Sequence, residues 1–379
     1  AEVKEMDLRL SHTSSLDDNI SDDDDRTTFM DLLEDQSANH EMTVANHQDS
    51  HRKRKIFLTA FDTLNEREKE IIVSRKLRDD SVTLDDLSHK YNISRERVRQ
   101  IENRAMEKNL RRAAGSLLVV GLGGTELTGL ERAWLRVVRP AGIILFKRNI
   151  ADVEQTRALL NEATGLAALH SARCVDVEGG TVNRLRDALG PMPSAQAVAR
   201  ASLHPSVSAG RRGKDGAPSS PATNPLAREH GDLIGRAVKA FGCNTTLAPV
   251  VDLGLAASAE VLGTRPPAAA SAEVIAFARG FLEALAAQGV AGCGKHFPGL
   301  GSADLDSHFV TPEIGRTFRQ VWDEDLLPYR ELHRLMPMIM TNHAAYPRTP
   351  GKDSPASASQ FWISNVLRKR IGYRGLVFT

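Results

Sequence analysis

The sequence contains too few cysteines to support a disulfide framework. Its three cysteines, Cys174, Cys243 and Cys293, lie in separate apolar runs and form no Cys-x-x-Cys pair. An odd, scattered set of this kind predicts neither paired disulfides nor a cysteine-ligated metal. We expect all three to be small buried residues of a protein in a reducing compartment.

Net charge and long apolar runs are also lacking. The formal charge is only +1, so the chain as a whole gives no electrostatic argument for a nucleic-acid partner, although an average can hide a local basic face. No apolar run reaches the length of a membrane span, and no signal peptide is visible in the first residues of the sequence. We therefore expect a cytoplasmic protein, although the sequence starts at Ala1 and not at Met.

The 379 residues are enough for two or three domains, and 41% hydrophobic with 26% charged residues is typical of a globular protein. Residues 1–51 differ, because they are polar, acidic and without sustained periodicity. The run Asp22 to Asp25 is the most acidic part. These residues are predicted to be a flexible, disordered acidic segment.

Residues 52–114 have the periodicity of a small all-α domain. Asn65 and Glu68 resemble a helix cap and its partner. A helix capped by Thr83 is followed by the turn 92–94 and by a second helix capped by Ser94, which predicts a helix-turn-helix. From Arg95 to Arg112 there are seven basic and three acidic residues. Charge alone would fit a solvated helix, but charge together with the turn and caps favours DNA binding.

Beyond residue 116 the sequence alternates between continuous apolar runs and helical stretches. Strands without polar alternation are buried on both faces, as in parallel sheets, so the pattern predicts either an α/β barrel or a doubly wound sheet. The predicted helices are 152–168, 227–240, 272–287 and 318–334. The seven predicted strands are 117–121, 142–146, 174–175, 246–251, 290–293, 338–340 and 375–378.

Polar residues follow these predicted strands, where a barrel enzyme carries its active site. Any one of them alone could form a structural ion pair, but a series at successive strand ends favours a functional site. The series comprises Asp176 with Arg184, Asp252 with Arg265, Lys295 with His296, and Asn342 with His343.

The helix-turn-helix resembles the C-terminal region of bacterial sigma factors, which reads the promoter −35 element. The resemblance rests on 65–68, 83–87 and 94–102, and the residues upstream are similar to the heat-shock sigma factor in particular. It implies transcription initiation with promoter DNA and RNA polymerase as partners. It also implies base contacts by Arg95, Glu96 and Gln100 and a phosphate contact by Arg99.

The second part resembles glycoside hydrolase family 3, in its β-N-acetylhexosaminidase branch, which recycles cell-wall (peptidoglycan) aminosugars. The motifs are 176–185, 295–299 and the Asp-Ser-His of 306–308. The resemblance implies a (β/α)8 TIM-type barrel over 116–379, no cofactor and no metal. It also implies that the sugar is bound by Asp176, Arg184, Arg265, Lys295 and His296.

The resemblance further assigns the catalytic groups. His308 would be the proton donor, and Asp306 would orient its ring and adjust its pKa. The family's nucleophile is an Asp that directly follows strand seven, after Phe-Ser or Phe-Thr, and this sequence ends at Phe378-Thr379. We therefore expect an incomplete barrel, without its last strand, that is inactive as given.

Three hypotheses remain at this point. The chain is a family 3 glycosidase barrel behind a sigma-like segment, a promoter-binding module with the barrel as passenger, or a junction of two gene fragments. An Asn109 that departs from the sigma pattern and the absence of a linker at 113–115 favour the last hypothesis for the chain's origin.

Overall fold

The structure is a computed structural model that describes residues 64–77, 82–168, 171–203, 224–304 and 311–379. The predicted acidic segment 1–51 lies outside the described residues. No helix in the described part of the chain is both long and apolar enough to cross a membrane.

The first described element is a three-helix unit. Its helices are α1 (Glu66–Ile72), which continues as a π-helical turn (Val73–Leu77), α2 (Leu84–Tyr91) and α3 (Arg95–Gly115). Each helix begins at a polar cap, because the side chains of Asn65, Thr83 and Ser94 accept hydrogen bonds from backbone N–H groups one turn further on. Asn92 ends α2 in the left-handed conformation with φ 51°. The predicted helix-turn-helix is confirmed.

Two small apolar clusters hold this unit together. Ile71, Leu87 and Val98 are buried where the three helices meet. Leu64, Ile72 and Ala105 form the second cluster. These clusters are separate from the cores of the second part of the chain.

The second part is built on a parallel sheet. The strands are β1 (Val119–Gly121), β2 (Gly142–Leu145), β3 (Ala172–Val175), β4 (Val177–Gly179), β5 (Val182–Asn183), β6 (Thr245–Thr246), β7 (Ala291–Phe297), β8 (Met338–Thr341) and β9 (Leu376–Phe378). Strands β4 and β5 form a small antiparallel hairpin, and the other seven form one sheet in the order β1-β2-β3-β6-β7-β8-β9. Every neighbouring pair in that sheet is parallel.

Helices separate the strands along the chain. They are α4 (Gly129–Val138), α5 (Val153–Leu166), α6 (Arg186–Leu189), α7 (Ala195–Ser202), α8 (Pro225–Ala240), α9 (Ala259–Leu262), α10 (Ser271–Ala287), α11 (Phe318–Gln320) and α12 (Leu327–Leu332). Short 3₁₀ helices cover Lys147–Asn149, Ala256–Ser258 and Ala356–Ala358, and π-helical segments cover Val321–Asp325 and Phe361–Arg370.

Seven parallel strands in chain order, with intervening helices, form an incomplete (β/α)8 TIM-type barrel, as predicted. Its apolar residues form two large clusters. One lies around β2 and β3 with α5 and α8, and the other lies around β7 and β8 with the π-helical segment Phe361–Arg370. Because all strands are parallel, their carboxyl ends share one edge, and the polar residues that follow them converge there.

Helix α3 joins the two parts without a break. It ends at Gly115, directly before the barrel, and packs there against the end of α4. A Cβ atom at Gly115 would lie 1.8 Å from the carbonyl oxygen of Val138. Glycine is therefore the residue that this close approach requires.

The structure corrects three details of the sequence prediction. Strand β7 extends to Phe297, so Lys295 and His296 lie within the strand and not after it. Only the first residue of the predicted strand 246–251 lies in a sheet strand, because β6 covers Thr245–Thr246. The predicted single helix 318–334 is divided into α11, a π-helical turn and α12.

Candidate active site

A buried lysine joins β7 to the segment that follows β3. Lys295 is 2% exposed, and its Nζ lies 3.0 Å from Asp176 Oδ1 and 2.6 Å from Glu178 Oε1. Burial alone would lower the pKa of Lys295, but the two carboxylates outweigh burial and raise it. The ammonium group therefore stays charged and holds both carboxylates in place.

Glu178 is bound by a second cation. Arg265 donates two parallel hydrogen bonds to it, Nε to Oε2 and Nη2 to Oε1, each 2.9 Å long. Burial would raise the pKa of Glu178, but Lys295 and Arg265 outweigh burial and hold that pKa at about 2. A carboxylate ionised this firmly and held by two cations is unsuited to proton transfer, so Glu178 positions the cations.

His296 connects this cluster to Asp252. Its Nδ1 lies 2.7 Å from Asp252 Oδ2, and its Nε2 lies 3.3 Å from Nη2 of Arg265. Because an arginine N–H only donates, we assign the proton to Nδ1 and the acceptor role to Nε2. Burial lowers the pKa of His296 despite Asp252, which favours the neutral ring. The one lone pair of Nε2 is then occupied by the Arg265 N–H, which a hydroxyl donor would have to replace.

Asp252 organises the backbone of the strand end as well as the ring. Its side chain is fully buried and accepts hydrogen bonds from the backbone N–H of His296 at 3.1 Å and of Leu300 at 2.7 Å. The preceding Val250 pairs with Lys295 in a parallel bridge. One carboxylate therefore fixes both the orientation of the His296 ring and the turn that follows β7.

Three groups of this cluster reach the surface. The side chains of Asp176, Arg265 and His296 are 18%, 17% and 15% exposed, and Lys295 and Glu178 lie beneath them. A carboxylate, a guanidinium and an imidazole nitrogen together offer acceptors and donors at one place. A sugar needs both, because each hydroxyl group donates one hydrogen bond and accepts others.

Arg184 lies beside this cluster. Its backbone N–H donates to the carbonyl oxygen of Asp176 at 3.2 Å. Its Nε is buried and has no acceptor among the residues that the structure describes. The structure thus brings four of the five predicted sugar-binding residues into one network of contacts, and the fifth adjoins it.

The two predicted catalytic residues, Asp306 and His308, lie outside the described residues, and their roles stay predictions. The chain is described again only from residue 311, and before the gap the backbone N–H of Leu300 is held by Asp252. Within the described ranges no group of three or more histidine, cysteine or acidic residues is arranged to hold a metal ion.

The predicted DNA-contacting side chains all lie on the exposed first turns of α3. Arg99 forms two hydrogen bonds with Glu96, at 3.0 and 3.1 Å, and Arg95 pairs with Asp85 of α2. Gln100 accepts a hydrogen bond from Arg97 at 3.1 Å. They form one polar surface on the helix that follows the turn, and their roles toward DNA stay predictions.

Two residues of the cluster were absent from the predicted site set. Glu178 belongs to the motif that begins at Asp176, and Asp252 was noted only as one of the polar residues after a strand. Both carboxylates are buried, and a buried carboxylate needs partners, so each must be held by the groups around it. The sequence did contain a signal for both Glu178 and Asp252. Each carboxylate follows an apolar run and lies within six residues of the end of a strand.

Comparison with protein families gives the family of the barrel. Residues 109–379 match the model described as the glycosyl hydrolase family 3 N terminal domain. The chain belongs to glycosyl hydrolase family 3. Residues 60–111 match the model for Sigma-70, region 4, and the two matches meet on the last turns of α3. Both resemblances seen in the sequence are confirmed.

Curated relatives in this family are β-hexosaminidases. A β-hexosaminidase from Idiomarina loihiensis is 34% identical over 262 residues, which are 69% of this chain and 73% of the relative. One from Alkalilimnicola ehrlichii is 35% identical over 263 residues, covering 69% and 71%. The barrel of this family 3 chain is thus that of a glycosidase.

Solved structures show the same fold. Native NagZ from Neisseria gonorrhoeae has a TM-score of 0.61 at 30% identity, covering 70% of this chain and 73% of that one. A family 3 β-N-acetylglucosaminidase from Paenibacillus has a TM-score of 0.62 at 27% identity, covering 71% of this chain and 48% of that one.

Proposed function

We propose that residues 116–379 bind the terminal N-acetylglucosaminyl residue of a cell-wall aminosugar in the cytoplasm. Asp176, Arg184, Arg265, Lys295 and His296 bind its hydroxyl groups. The observation that carries this proposal is the salt-bridged cluster at the carboxyl ends of β3 and β7, whose accessible groups combine donors with acceptors. The β-hexosaminidase relatives support the same class of substrate.

The proposed reaction is hydrolysis of the glycosidic bond with retention of configuration. His308 protonates the leaving oxygen, with Asp306 orienting its ring, while a carboxylate attacks the anomeric carbon and water later releases the sugar. The family 3 resemblance implies that this carboxylate directly follows strand seven, which is β9 in this chain. A polypeptide of residues 1–379 is therefore expected to bind the sugar and to hydrolyse it little, since proton donation alone contributes about 10²–10⁴-fold.

Binding to the 1–379 polypeptide tests the sugar site. Titration calorimetry with methyl N-acetyl-β-D-glucosaminide should show binding that Asp252→Asn weakens about tenfold. Both Asp252 oxygens accept hydrogen bonds, and the amide keeps only one acceptor, so its NH2 would face either the His296 ring N–H or the backbone N–H groups. The exposed Asp353→Asn is the control and should bind normally. Equal affinities for the two variants would contradict the positioning role of Asp252, and absent binding by the parent would contradict the sugar site.

Hydrolysis of 4-nitrophenyl N-acetyl-β-D-glucosaminide tests the reaction. The 1–379 polypeptide should be nearly inactive, and a chimera continued after Thr379 with the corresponding segment of the Idiomarina relative should be active. His308→Ala in that chimera should lower kcat on substrates with poor leaving groups most, because those need proton donation. Strong hydrolysis by residues 1–379 alone would show that the nucleophile lies elsewhere.

A second function is favoured by the helix-turn-helix. We propose that α3 enters the major groove of promoter −35 DNA, with Arg95, Glu96 and Gln100 at base edges and Arg99 at a phosphate. The exposed position of these residues directly after the Asn92 turn carries the proposal, and the Sigma-70 region 4 match supports it. RNA polymerase is the implied partner.

Gel shifts on −35 DNA with scrambled DNA as control test this function. Gln100→Ala should lower affinity for the −35 sequence about tenfold and leave scrambled DNA nearly unaffected, since lost base contacts cost about 1–3 kcal/mol. Arg99→Ala should weaken binding to both sequences and reduce the salt dependence. If Gln100→Ala has equal effects on both DNAs, the proposed base contact is wrong.

A further inference from the structure

A cleft lies next to the salt-bridged cluster of Asp176, Glu178, Arg265, Lys295 and His296, which we call the sugar cluster. It has a volume of about 560 Å³ and is lined by Phe146, Lys147, Arg148, Arg184 and Asp187. Its position follows from the strand register, because Leu145 of β2 pairs with Val175 of β3. The residues that follow them, Phe146 and Asp176, are therefore neighbours, so the cleft adjoins the accessible carboxylate of the sugar site.

The cleft carries an excess of positive charge. Three of its five lining residues are cationic and one, Asp187, is anionic, and Lys147 Nζ lies 2.8 Å from Asp187 Oδ2. Arg148 is held in place, because its Nε donates to the carbonyl oxygen of Leu122 at 2.9 Å and its guanidinium lies 4.8 Å from the centre of the Phe146 ring. A cation fixed in this way loses little conformational entropy when it binds a ligand.

Arg184 gives an independent indication of a ligand. Its Nε is buried, and within the described ranges it has no hydrogen-bond acceptor. A buried donor without an acceptor is costly, so such groups are normally paired. Since Arg184 borders both the cleft and Asp176, an acceptor on a bound saccharide would meet this need where the two sites join.

We propose that this cleft is an anion-binding subsite, which takes a carboxylate or phosphate carried by the saccharide whose terminal sugar occupies the Asp176–Lys295 cluster. This inference rests on the proposed sugar-binding function. Planar forks such as Arg148 and Arg184 match both anions, and the Phe146 ring supports Arg148 from beneath. Asp187 competes with the ligand for Lys147 and so limits its affinity.

Titration calorimetry with the 1–379 polypeptide and matched ligand pairs tests the subsite. One pair is 4-carboxyphenyl and 4-carbamoylphenyl N-acetyl-β-D-glucosaminide, and the other is N-acetylglucosamine 6-phosphate and N-acetylglucosamine. The anionic member of one pair should bind about five- to tenfold tighter, and salt at roughly 0.5 M should remove most of that preference. Preference in the first pair places the anion on the leaving group, and preference in the second places it on the terminal sugar.

Two substitutions should move the preference in opposite directions. Lys147→Ala should lower the ratio of anionic to neutral affinity about threefold, and Asp187→Asn should raise it about twofold, as expected for exposed charges. Lys239→Ala is the control, because Lys239 contacts the Gln288 carbonyl near the amino end of β7, at the opposite edge of the sheet, and should leave the ratio unchanged.

The outcomes separate this inference from the function on which it rests. Equal affinities within both pairs, with the neutral ligands bound, would overturn the subsite and leave the sugar site intact. Failure of every ligand to bind, the neutral ones included, would overturn both. An anionic preference that is insensitive to Lys147→Ala and Asp187→Asn would place the anion elsewhere and also overturn the subsite.

Discussion

Asp325 is a buried carboxylate beside the sugar cluster. It ends the π-helical segment Val321–Asp325, is 3% exposed, and lies 3.1 Å from Nε of Arg316. It also packs closely against Gly299, where a Cβ would lie 2.6 Å from Asp325 Cβ. Burial raises the pKa of Asp325 to about 7 from its ordinary 3.8, Arg316 opposes the rise and Asp252 adds to it.

This pKa predicts a pH dependence of stability. Since the folded state holds the proton more tightly than the unfolded state, the contribution of Asp325 is fully present below about pH 4 and is lost as pH rises toward 7. Asp325→Asn should remove that loss, so the variant should gain stability relative to the parent over this range, by on the order of a few kcal/mol. Urea unfolding of the parent and of Asp325→Asn between about pH 4 and 7 measures this difference in the free energy of unfolding.

The difference between the two proteins is the quantity to compare. His230, whose pKa burial lowers to about 4, contributes the opposite slope in the parent and the variant alike. A constant difference across the range would mean that Asp325 keeps an ordinary pKa.

Some residues of the sugar cluster could be predicted from the sequence, and others could not. The positions of Asp176, Lys295 and His296 follow from apolar runs that end in polar residues, so they could be predicted. The bonds of Asp252 to His296 and Leu300 could not, because they depend on how the chain 247–251 crosses β7 beyond the two residues of β6. The two cations that hold Glu178 are Lys295 and Arg265. Their meeting could not be predicted either, because Arg265 is 87 residues away from Glu178 along the chain.

Helix α3 is the element that belongs to both parts of the chain. Its first turns carry the predicted DNA contacts, and its last residue, Gly115, lies against the carbonyl oxygen of Val138 at the end of α4. Backbone atoms on both sides make this contact rigid, so a methyl group cannot be accommodated by a side-chain rotation.

The contact predicts opposite effects of two glycine substitutions. Gly115→Ala should destabilise the junction by about 1–3 kcal/mol, because its Cβ would overlap backbone atoms of Val138. Gly165→Ala, near the end of α5 with open space around it, should stabilise by about 0.5–1 kcal/mol through helix propensity. Thermal unfolding compares them, and equal shifts in Tm would contradict the close packing at Gly115.

Elements were predictable where local chemistry determines them. The caps Asn65, Thr83 and Ser94 begin the helices that the sequence assigned to them. The division of 318–334 was missed because π-helical turns have no simple sequence period. The end of β7 was missed because its last residues, Lys295 to Phe297, are held by partners on β8 and by Val250, which lie far away in sequence.

At the scale of the whole molecule, the apolar cores are distributed unequally. Among the residues that the structure describes, the three-helix unit has six buried hydrophobic residues in two clusters, and the barrel has two much larger clusters of its own. Because small cores supply little stability, we expect two unfolding transitions, with residues 64–115 unfolding first.

Scanning calorimetry with each ligand checks this expectation. Promoter −35 DNA should raise the temperature of the first transition only. Methyl N-acetyl-β-D-glucosaminide should raise the temperature of the second only, because each ligand stabilises the unit that binds it. One transition that both ligands shift together would mean that α3 couples the two parts into a single cooperative unit.

The strand order also bears on how the barrel assembles during translation. Each of the seven sheet strands pairs only with the strands immediately before and after it among those seven. Among these seven, a strand that leaves the ribosome therefore finds its preceding partner already present. The sheet can add strands from β1 toward β9 while synthesis continues, because the N-terminal part of a chain is synthesised first. The most recently added strand always exposes one edge, so the growing end of the sheet is the place where a nascent chain of this kind needs chaperone protection.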